Sequence, residues 1–148
     1  ILSMWCDIRF ASKSAIFSTA FSKRGLIAEH GMSWLLPRLV GIGHAMDMSL
    51  TARKISAEEA EKIGFVNKIF PDEIFLKEVY SYAETLANEV SPRSMKVMKR
   101  QLWQSLLQGL DEAVAIADND MVDSFSSEDF KEGVAHFIEK RSPNFSGK

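Results

Sequence analysis

The sequence predicts an α/β portion followed by an all-helical C-terminal region. Polar and apolar residues alternate along 7–11 (DIRFA), and a period of two is typical of a strand. Further along, apolar residues recur at the spacing of a helix face: Phe75, Val79, Tyr82, Leu86 and Val90. We therefore assign residues 1–70 to the α/β portion and residues 71–148 to the helical region.

The first portion opens with two predicted strands. Residues 7–11 form the first strand, and residues 15–18 are its expected partner, because the Ser-Lys-Ser at 12–14 between them resembles a turn. A loop then runs to Gly25. These features predict a hairpin at the start of the chain.

Two helices should follow the loop. The first begins between Glu29 and Ser33, and Pro37 fits only its first turn or a kink. The second covers about residues 44–50.

The next segment carries clear start and stop signals. Ser56 and Glu59 stand at capping-box spacing, and Gly64 is a natural helix stop. A short helix is therefore predicted over 57–63, and residues 65–70 read as a strand that ends at Pro71.

Four helices are predicted for the rest of the chain. The first covers 74–90, and the second starts at Ser91, which is an N-cap followed by proline, and ends at Gly109. The third covers 111–125. The last starts after Ser127 and ends near Arg141, before Pro143.

Composition excludes several classes of protein. The 148 residues are 46% hydrophobic and 26% charged, as in ordinary globular chains, and the net charge is −2. That charge gives no general attraction to nucleic acid or to an anionic membrane. No stretch reaches the ~18 apolar residues of a membrane span, and no signal peptide is present. The single cysteine, Cys6, points to a reducing compartment, so we expect a cytoplasmic protein.

Four segments of the sequence contain recognisable motifs. They are 6–11 (CDIRFA), 25–41 (GLIAEHGMSWLLPRLVG), 50–67 (LTARKISAEEAEKIGFVN) and 132–145 (EGVAHFIEKRSPNF). Their order and spacing resemble the enoyl-CoA hydratase/isomerase (crotonase) family. The resemblance covers nearly the whole chain but only the C-terminal half of a typical member. With Ile1 as the first residue, we expect this chain to be part of a longer protein.

The resemblance implies a partial crotonase-like ββα spiral followed by a helical trimerisation region. It also implies an enzyme that shifts or hydrates the double bond of an enoyl-CoA through a thioester enolate. Coenzyme A is then part of the substrate, no other cofactor is needed, and a homo-oligomer, trimer or hexamer, is expected. Two backbone N–H groups stabilise the enolate in this family, and both are expected from segments upstream of this chain. Residues 1–148 alone should therefore be an incomplete catalyst.

One acid remains as the candidate catalytic residue. The two glutamates that share the work in resembling hydratases align with Ile1 and Phe21, which cannot hold water or transfer a proton. Glu29 aligns with the Asp or Glu of several isomerases, which need one base to move a proton from C2 to C4. Phe21 and Trp34 are its expected apolar neighbours at the substrate. The alternative is that Glu29 only stabilises a helix N-terminus.

A second pair of residues is expected to bind substrate. Phe137 and Lys140 are three apart on the last helix and should share a face. The matching residues in the family contact the adenine and phosphate of CoA, often from a neighbouring subunit. The alternative is a core phenylalanine beside a solvated basic helix end.

The remaining candidates have plainer interpretations. His30 could orient Glu29 or be an exposed turn residue, His44 and His136 are interpreted as structural, and no metal site is predicted. Cys6 is expected to be a buried packing residue. The alternative to an enzyme is a catalytically silent acyl-CoA-binding or assembly module, and a third possibility is another reaction on the same enolate scaffold, such as thioester hydrolysis.

Overall fold

A computed structural model describes residues 1–148, which are mostly helical. Four short strands and seven α-helices follow one another along the chain: β1 (Phe10–Ser12), β2 (Ile16–Phe17), α1 (Met32–Val40), α2 (Ile42–Thr51), β3 (Ile55–Ser56), α3 (Ala57–Lys62), β4 (Lys68–Phe70), α4 (Phe75–Glu89), α5 (Pro92–Ser105), α6 (Leu110–Phe125) and α7 (Glu128–Glu139). Single 3-10 turns occur at Leu2–Trp5, Ser22–Arg24 and Asp72–Ile74.

The chain forms two compact units. The first unit is Ile1–Val79 and the second is Tyr80–Lys148. All four strands lie in the first unit and the second contains only helices, so the predicted order of an α/β portion and a helical region is confirmed in outline. The start of α4 belongs to the first unit and the remainder of α4 to the second. No helix is long and apolar enough to cross a membrane.

The predicted hairpin between residues 7–11 and 15–18 is wrong. β1 pairs in parallel with β4, with Phe10 opposite Lys68, and β2 pairs antiparallel with β3. The parallel pairing buries Ala11 and Phe70, and the Phe10 and Phe70 rings lie 5.6 Å apart. A hairpin between β1 and β2 would not bring Phe10 or Ala11 against Phe70. Burial of these apolar side chains therefore favours the distant strand β4 as the partner of β1.

The predicted strand over 65–70 is shorter in the structure, where β4 begins at Lys68. The N–H groups of Phe65 and Val66 donate to the carbonyl of Ala60, at 2.8 and 3.2 Å. Gly64 makes this return possible with φ +79°, a conformation that favours glycine. Phe65 and Val66 therefore close α3 and enter the core.

The predicted helix starts are confirmed by their caps. The hydroxyl oxygens of Ser56, Ser91 and Ser127 accept from the backbone N–H three residues later, at 3.2, 3.0 and 3.1 Å. Each bond satisfies one of the N–H groups that a helix start leaves without a partner. The helix that starts at Ser91, α5, ends at Ser105, earlier than the predicted end at Gly109.

The core of the first unit lies between α1, α2 and β3. Leu35 and Leu36 of α1, Met48 of α2 and Ile55 of β3 are buried, each at most 4% exposed. Pro37 lies inside α1, beyond its first turn, so of the two expected positions, the first turn or a kink, the first is wrong. The helix tolerates it at the loss of one backbone hydrogen bond.

Candidate active site

A cavity of about 180 Å³ lies in the first unit. Its apolar lining includes Ile1, Phe21, Met32 and Leu36 of α1, and Met48 of α2. Carboxylate, imidazole and cationic side chains are all missing from its lining. The cavity wall therefore combines apolar side chains with the hydroxyls of Ser3, Ser18 and Thr19, and it contains no acidic, basic or imidazole side chain.

Two hydroxyls at the cavity wall, those of Ser18 and Thr19, have partners in the protein. Ser18 Oγ donates to the carbonyl of Ala52 at 3.0 Å, and Thr19 Oγ1 donates to the carbonyl of Met48 at 2.8 Å. The Met48 carbonyl also accepts from the N–H of Ala52 at 3.1 Å, so Thr19 adds a second bond to a carbonyl in the last turn of α2, and Ser18 binds the carbonyl of the C-cap residue Ala52. The bonds of Ser18 and Thr19 hold the segment between β2 and Phe21 against the end of α2.

Glu29 lies on a tight turn immediately before α1. Its backbone carbonyl accepts from the N–H of Met32 at 3.0 Å, and the two residues between them, His30 and Gly31, have φ of +52° and +78°. The Glu29 side chain is 38% exposed, and its Oε2 lies 3.7 Å from Nε2 of His30. Glu29 does not line the cavity.

Trp5 contacts this turn and was missed by the sequence analysis. Its indole Nε1 donates to the carbonyl of His30 at 3.2 Å. A Cβ placed on Gly31 would lie 3.0 Å from the indole ring. The one signal in the sequence was the glycine at 31, which indicates a close approach but does not identify the approaching side chain.

The two predicted apolar neighbours of Glu29 are separated. Phe21 lines the cavity. Trp34 is a half-buried residue of α1 outside the cavity lining, and the guanidinium of Arg38 lies 4.0 Å from the centre of its ring. This cation–π contact occupies one face of the indole.

Phe137 and Lys140 lie in the second unit, at the end of α7. Phe137 is 79% exposed, which excludes the alternative of a core phenylalanine within this chain. The expectation of a shared helix face is wrong at Lys140, because α7 ends at Glu139 and Lys140 adopts φ +54°. Lys140 is thus a C-cap residue, and its direction is set by the turn instead of by the helix.

Arg141 fixes the chain immediately after Lys140. Its guanidinium donates twice to Glu132, once at 2.8 Å, and its Nε donates to Glu139 at 2.6 Å. The N–H of Asn144 donates to the same Glu132 carboxylate at 2.7 Å. Arg141 and then Asn144 lower the pKa of Glu132 to about 2.

Cys6 is exposed, so the prediction of a buried packing residue is wrong. The 3-10 turn at Leu2–Trp5 buries Met4 and leaves Cys6 outside. His44 is exposed, and no group of three or more His, Cys, Asp or Glu side chains is placed to hold a metal ion.

Residues 1–148 match the family model described as enoyl-CoA hydratase/isomerase. A probable enoyl-CoA hydratase of Mycobacterium tuberculosis is 39% identical over 148 residues, covering 98% of this chain and 52% of the relative. The 1,2-epoxyphenylacetyl-CoA isomerase of Escherichia coli is 34% identical over 147 residues, covering 99% of this chain and 56% of the relative.

Solved structures give the same result. A probable enoyl-CoA hydratase/isomerase of Mycobacterium abscessus has a TM-score of 0.94 at 30% identity, covering 99% of this chain and 57% of that one. This chain therefore spans only a little more than half the length of the proteins it matches. The matches do not support the narrower prediction that it is a C-terminal half, and that prediction is dropped.

Proposed function

Because this chain belongs to the enoyl-CoA hydratase/isomerase family, we propose that the complete protein acts on the double bond of an enoyl-CoA, with Glu29 as its acid/base. The observation that carries the proposal is the family match over residues 1–148, which includes the segment that presents Glu29. In the structure this carboxylate is accessible and stands on a turn whose backbone is held at each carbonyl.

The residues at the two expected glutamate positions favour double-bond migration over hydration. Ile1 and Phe21, which align with the two glutamates of resembling hydratases, line the same cavity. Neither side chain can hold a water molecule or transfer a proton. Hydration needs both functions, whereas migration needs a single base.

The proposed reaction starts from a 3-enoyl thioester. Glu29 removes a proton from C2, and the electrons of that C–H bond pass toward the thioester oxygen to give a dienolate. The carboxylic acid then returns the proton to C4, and the double bond is left between C2 and C3. Donors to the enolate oxygen are expected from residues outside 1–148, as the family resemblance implies.

The substrate is proposed to bind through apolar and basic residues. Phe21 and Trp34 would contact the acyl part of the substrate, while Phe137 and Lys140 of a neighbouring subunit would contact the adenine and phosphate of CoA. CoA is part of the substrate, so no separate cofactor is invoked. We propose a homo-oligomer, a trimer or hexamer, because the second unit exposes large apolar side chains such as Leu102, Leu107 and Val122.

A catalytically silent acyl-CoA-binding module is the second candidate. It is favoured by one observation, which is that Glu29 lies outside the lining of the cavity that would receive the acyl group. Such a module would bind acyl-CoA without turnover.

The test compares the complete protein with two variants, using 3-enoyl-CoA and 2-enoyl-CoA as substrates. Glu29→Gln keeps the shape of the side chain and removes the base, so double-bond migration should fall by about 10²–10⁴-fold. The control is Glu84→Gln, at an exposed position of α4. Equal rates for wild type and Glu29→Gln would exclude Glu29 as the base. Tight binding of acyl-CoA without turnover by the wild type would establish the module instead.

A further inference from the structure

We propose that Trp5 is a positioning residue that holds the Glu29 turn in its productive conformation. The inference rests on the proposed function, because it matters for catalysis only if Glu29 is the base. Trp5 acts through the backbone of His30 and Gly31 and touches no reacting atom.

The hydrogen bonds of the turn show what Trp5 contributes. The carbonyl of Glu29 accepts from the N–H of Met32 at 3.0 Å, and the carbonyl of Gly31 accepts from the N–H of Leu35 at 3.0 Å. Both donors belong to α1. The carbonyl between them, on His30, accepts from the indole of Trp5, which lies 25 residues earlier in the chain. With the Trp5 bond, each of the three consecutive carbonyls of Glu29, His30 and Gly31 has a donor.

The shape of the contact adds a second constraint. The Trp5 ring lies 3.0 Å from the position that a Cβ on Gly31 would occupy, so the indole fills the space beside a residue that has no side chain. His30 and Gly31 both have positive φ, and for His30 this conformation persists only where the surroundings enforce it. Rotation of this turn would break the hydrogen bond and collide with the ring.

The contacts of Trp5 also restrain the backbone of Glu29, because Glu29 directly precedes His30 and Gly31, the two left-handed residues. Its carboxylate already faces His30 Nε2 at 3.7 Å, so a freed turn would change the position of both side chains together. A base misplaced by about 1 Å can cost up to ~10²-fold in rate. Removal of the indole N–H should therefore slow proton abstraction and leave substrate binding nearly intact.

The test uses Trp5→Phe in the complete protein, because this variant keeps a ring beside Gly31 and removes only the donor. The matched control is Trp103→Phe, the same change in α5 of the second unit. Hydrogen exchange of the backbone amides at 28–32 is measured for both variants. Turnover of 3-enoyl-CoA is measured with protium and with deuterium at C2.

We expect exchange at 28–32 to be at least about fivefold faster in Trp5→Phe. We also expect kcat to fall about tenfold with KM within about twofold, together with a larger isotope effect. A loss of folded protein would lower kcat without changing the isotope effect. Trp103→Phe should leave exchange, kcat and the isotope effect unchanged.

Unchanged exchange in Trp5→Phe would overturn the restraint itself. Faster exchange with unchanged kcat and isotope effect would overturn the positioning role. A wild-type protein that moves no double bond would defeat the proposed function, and the exchange comparison would still decide whether Trp5 holds the turn.

Discussion

The carboxylate of Asp129 accepts a hydrogen bond from the Ser91 hydroxyl at 2.5 Å, and both side chains are buried. The same carboxylate accepts from the N–H groups of Ser146 and Gly147 at 2.8 and 2.9 Å. Since Ser91 is also the N-cap of α5, one side chain joins the start of α5, the start of α7 and the last residues of the chain.

Asp129→Ala should destabilise the protein strongly. The variant leaves one hydroxyl and two backbone N–H groups without their acceptor, so the free energy of unfolding should fall by about 2–4 kcal/mol in urea titrations. The control is Asp118→Ala at an exposed position of α6, where a change within about 0.5 kcal/mol is expected. Similar values for the two variants would contradict the role of Asp129.

The Glu132–Arg141 contact predicts a dependence of stability on pH. Arg141 lowers the pKa of Glu132 from 4.5 to about 2, so the folded state favours the carboxylate. This stabilisation is complete above the unfolded pKa, declines as the pH falls from about 4.5 toward 2, and is absent below. The Tm difference between wild type and Glu132→Gln should therefore narrow over this interval. Glu128→Gln, beside Lys131 on the exposed side of α7, should show little Tm difference at any pH.

Two glycine substitutions should change stability in opposite directions. Gly31→Ala places a Cβ 3.0 Å from the Trp5 ring on a backbone with φ +78°, and about 1–3 kcal/mol of stability should be lost. Gly43→Ala lies within α2, where nothing is within 4 Å of the new Cβ, and about 0.5–1 kcal/mol should be gained. Chemical denaturation of both variants checks the prediction, and a loss at both sites would contradict it.

Neighbouring serines at the start of α7 should differ in their effect. Ser127 Oγ accepts from the N–H of Phe130 at 3.1 Å, whereas Ser126 is exposed and its hydroxyl donates to the carbonyl of Asp123. Ser127→Ala should cost about 1 kcal/mol of unfolding free energy and Ser126→Ala less than about 0.5 kcal/mol. Urea titrations would refute the capping role if the two variants lost equal stability.

The helices could be predicted because their signals are local. Ser56, Ser91 and Ser127 each cap a helix within three residues of themselves, and Gly64 ends α3 through its own φ. Strand pairing depends on partners far along the chain. Phe10 lies opposite Lys68, and nothing near Phe10 in sequence indicates that partner.

The candidate site shows the same limit. The motif placed Glu29 on a turn before a helix, which the structure confirms. Trp5 was missed because its role depends on contact with His30 and Gly31, which lie about 25 residues away in the chain and meet Trp5 only in the folded protein. Lys140 was given a helix face because the last helix was predicted to run to about Arg141, whereas α7 ends at Glu139.

The pairing of β1 with β4 has a consequence for the order of folding. The parallel ladder pairs Phe10 with Lys68, and the crossover between its two strands contains α1, α2 and α3. In the second unit the helices pack in sequence order, α5 against α6 and α6 against α7. Contacts between near neighbours form faster than distant ones. The second unit should therefore acquire its structure sooner than the first, although the first is synthesised earlier.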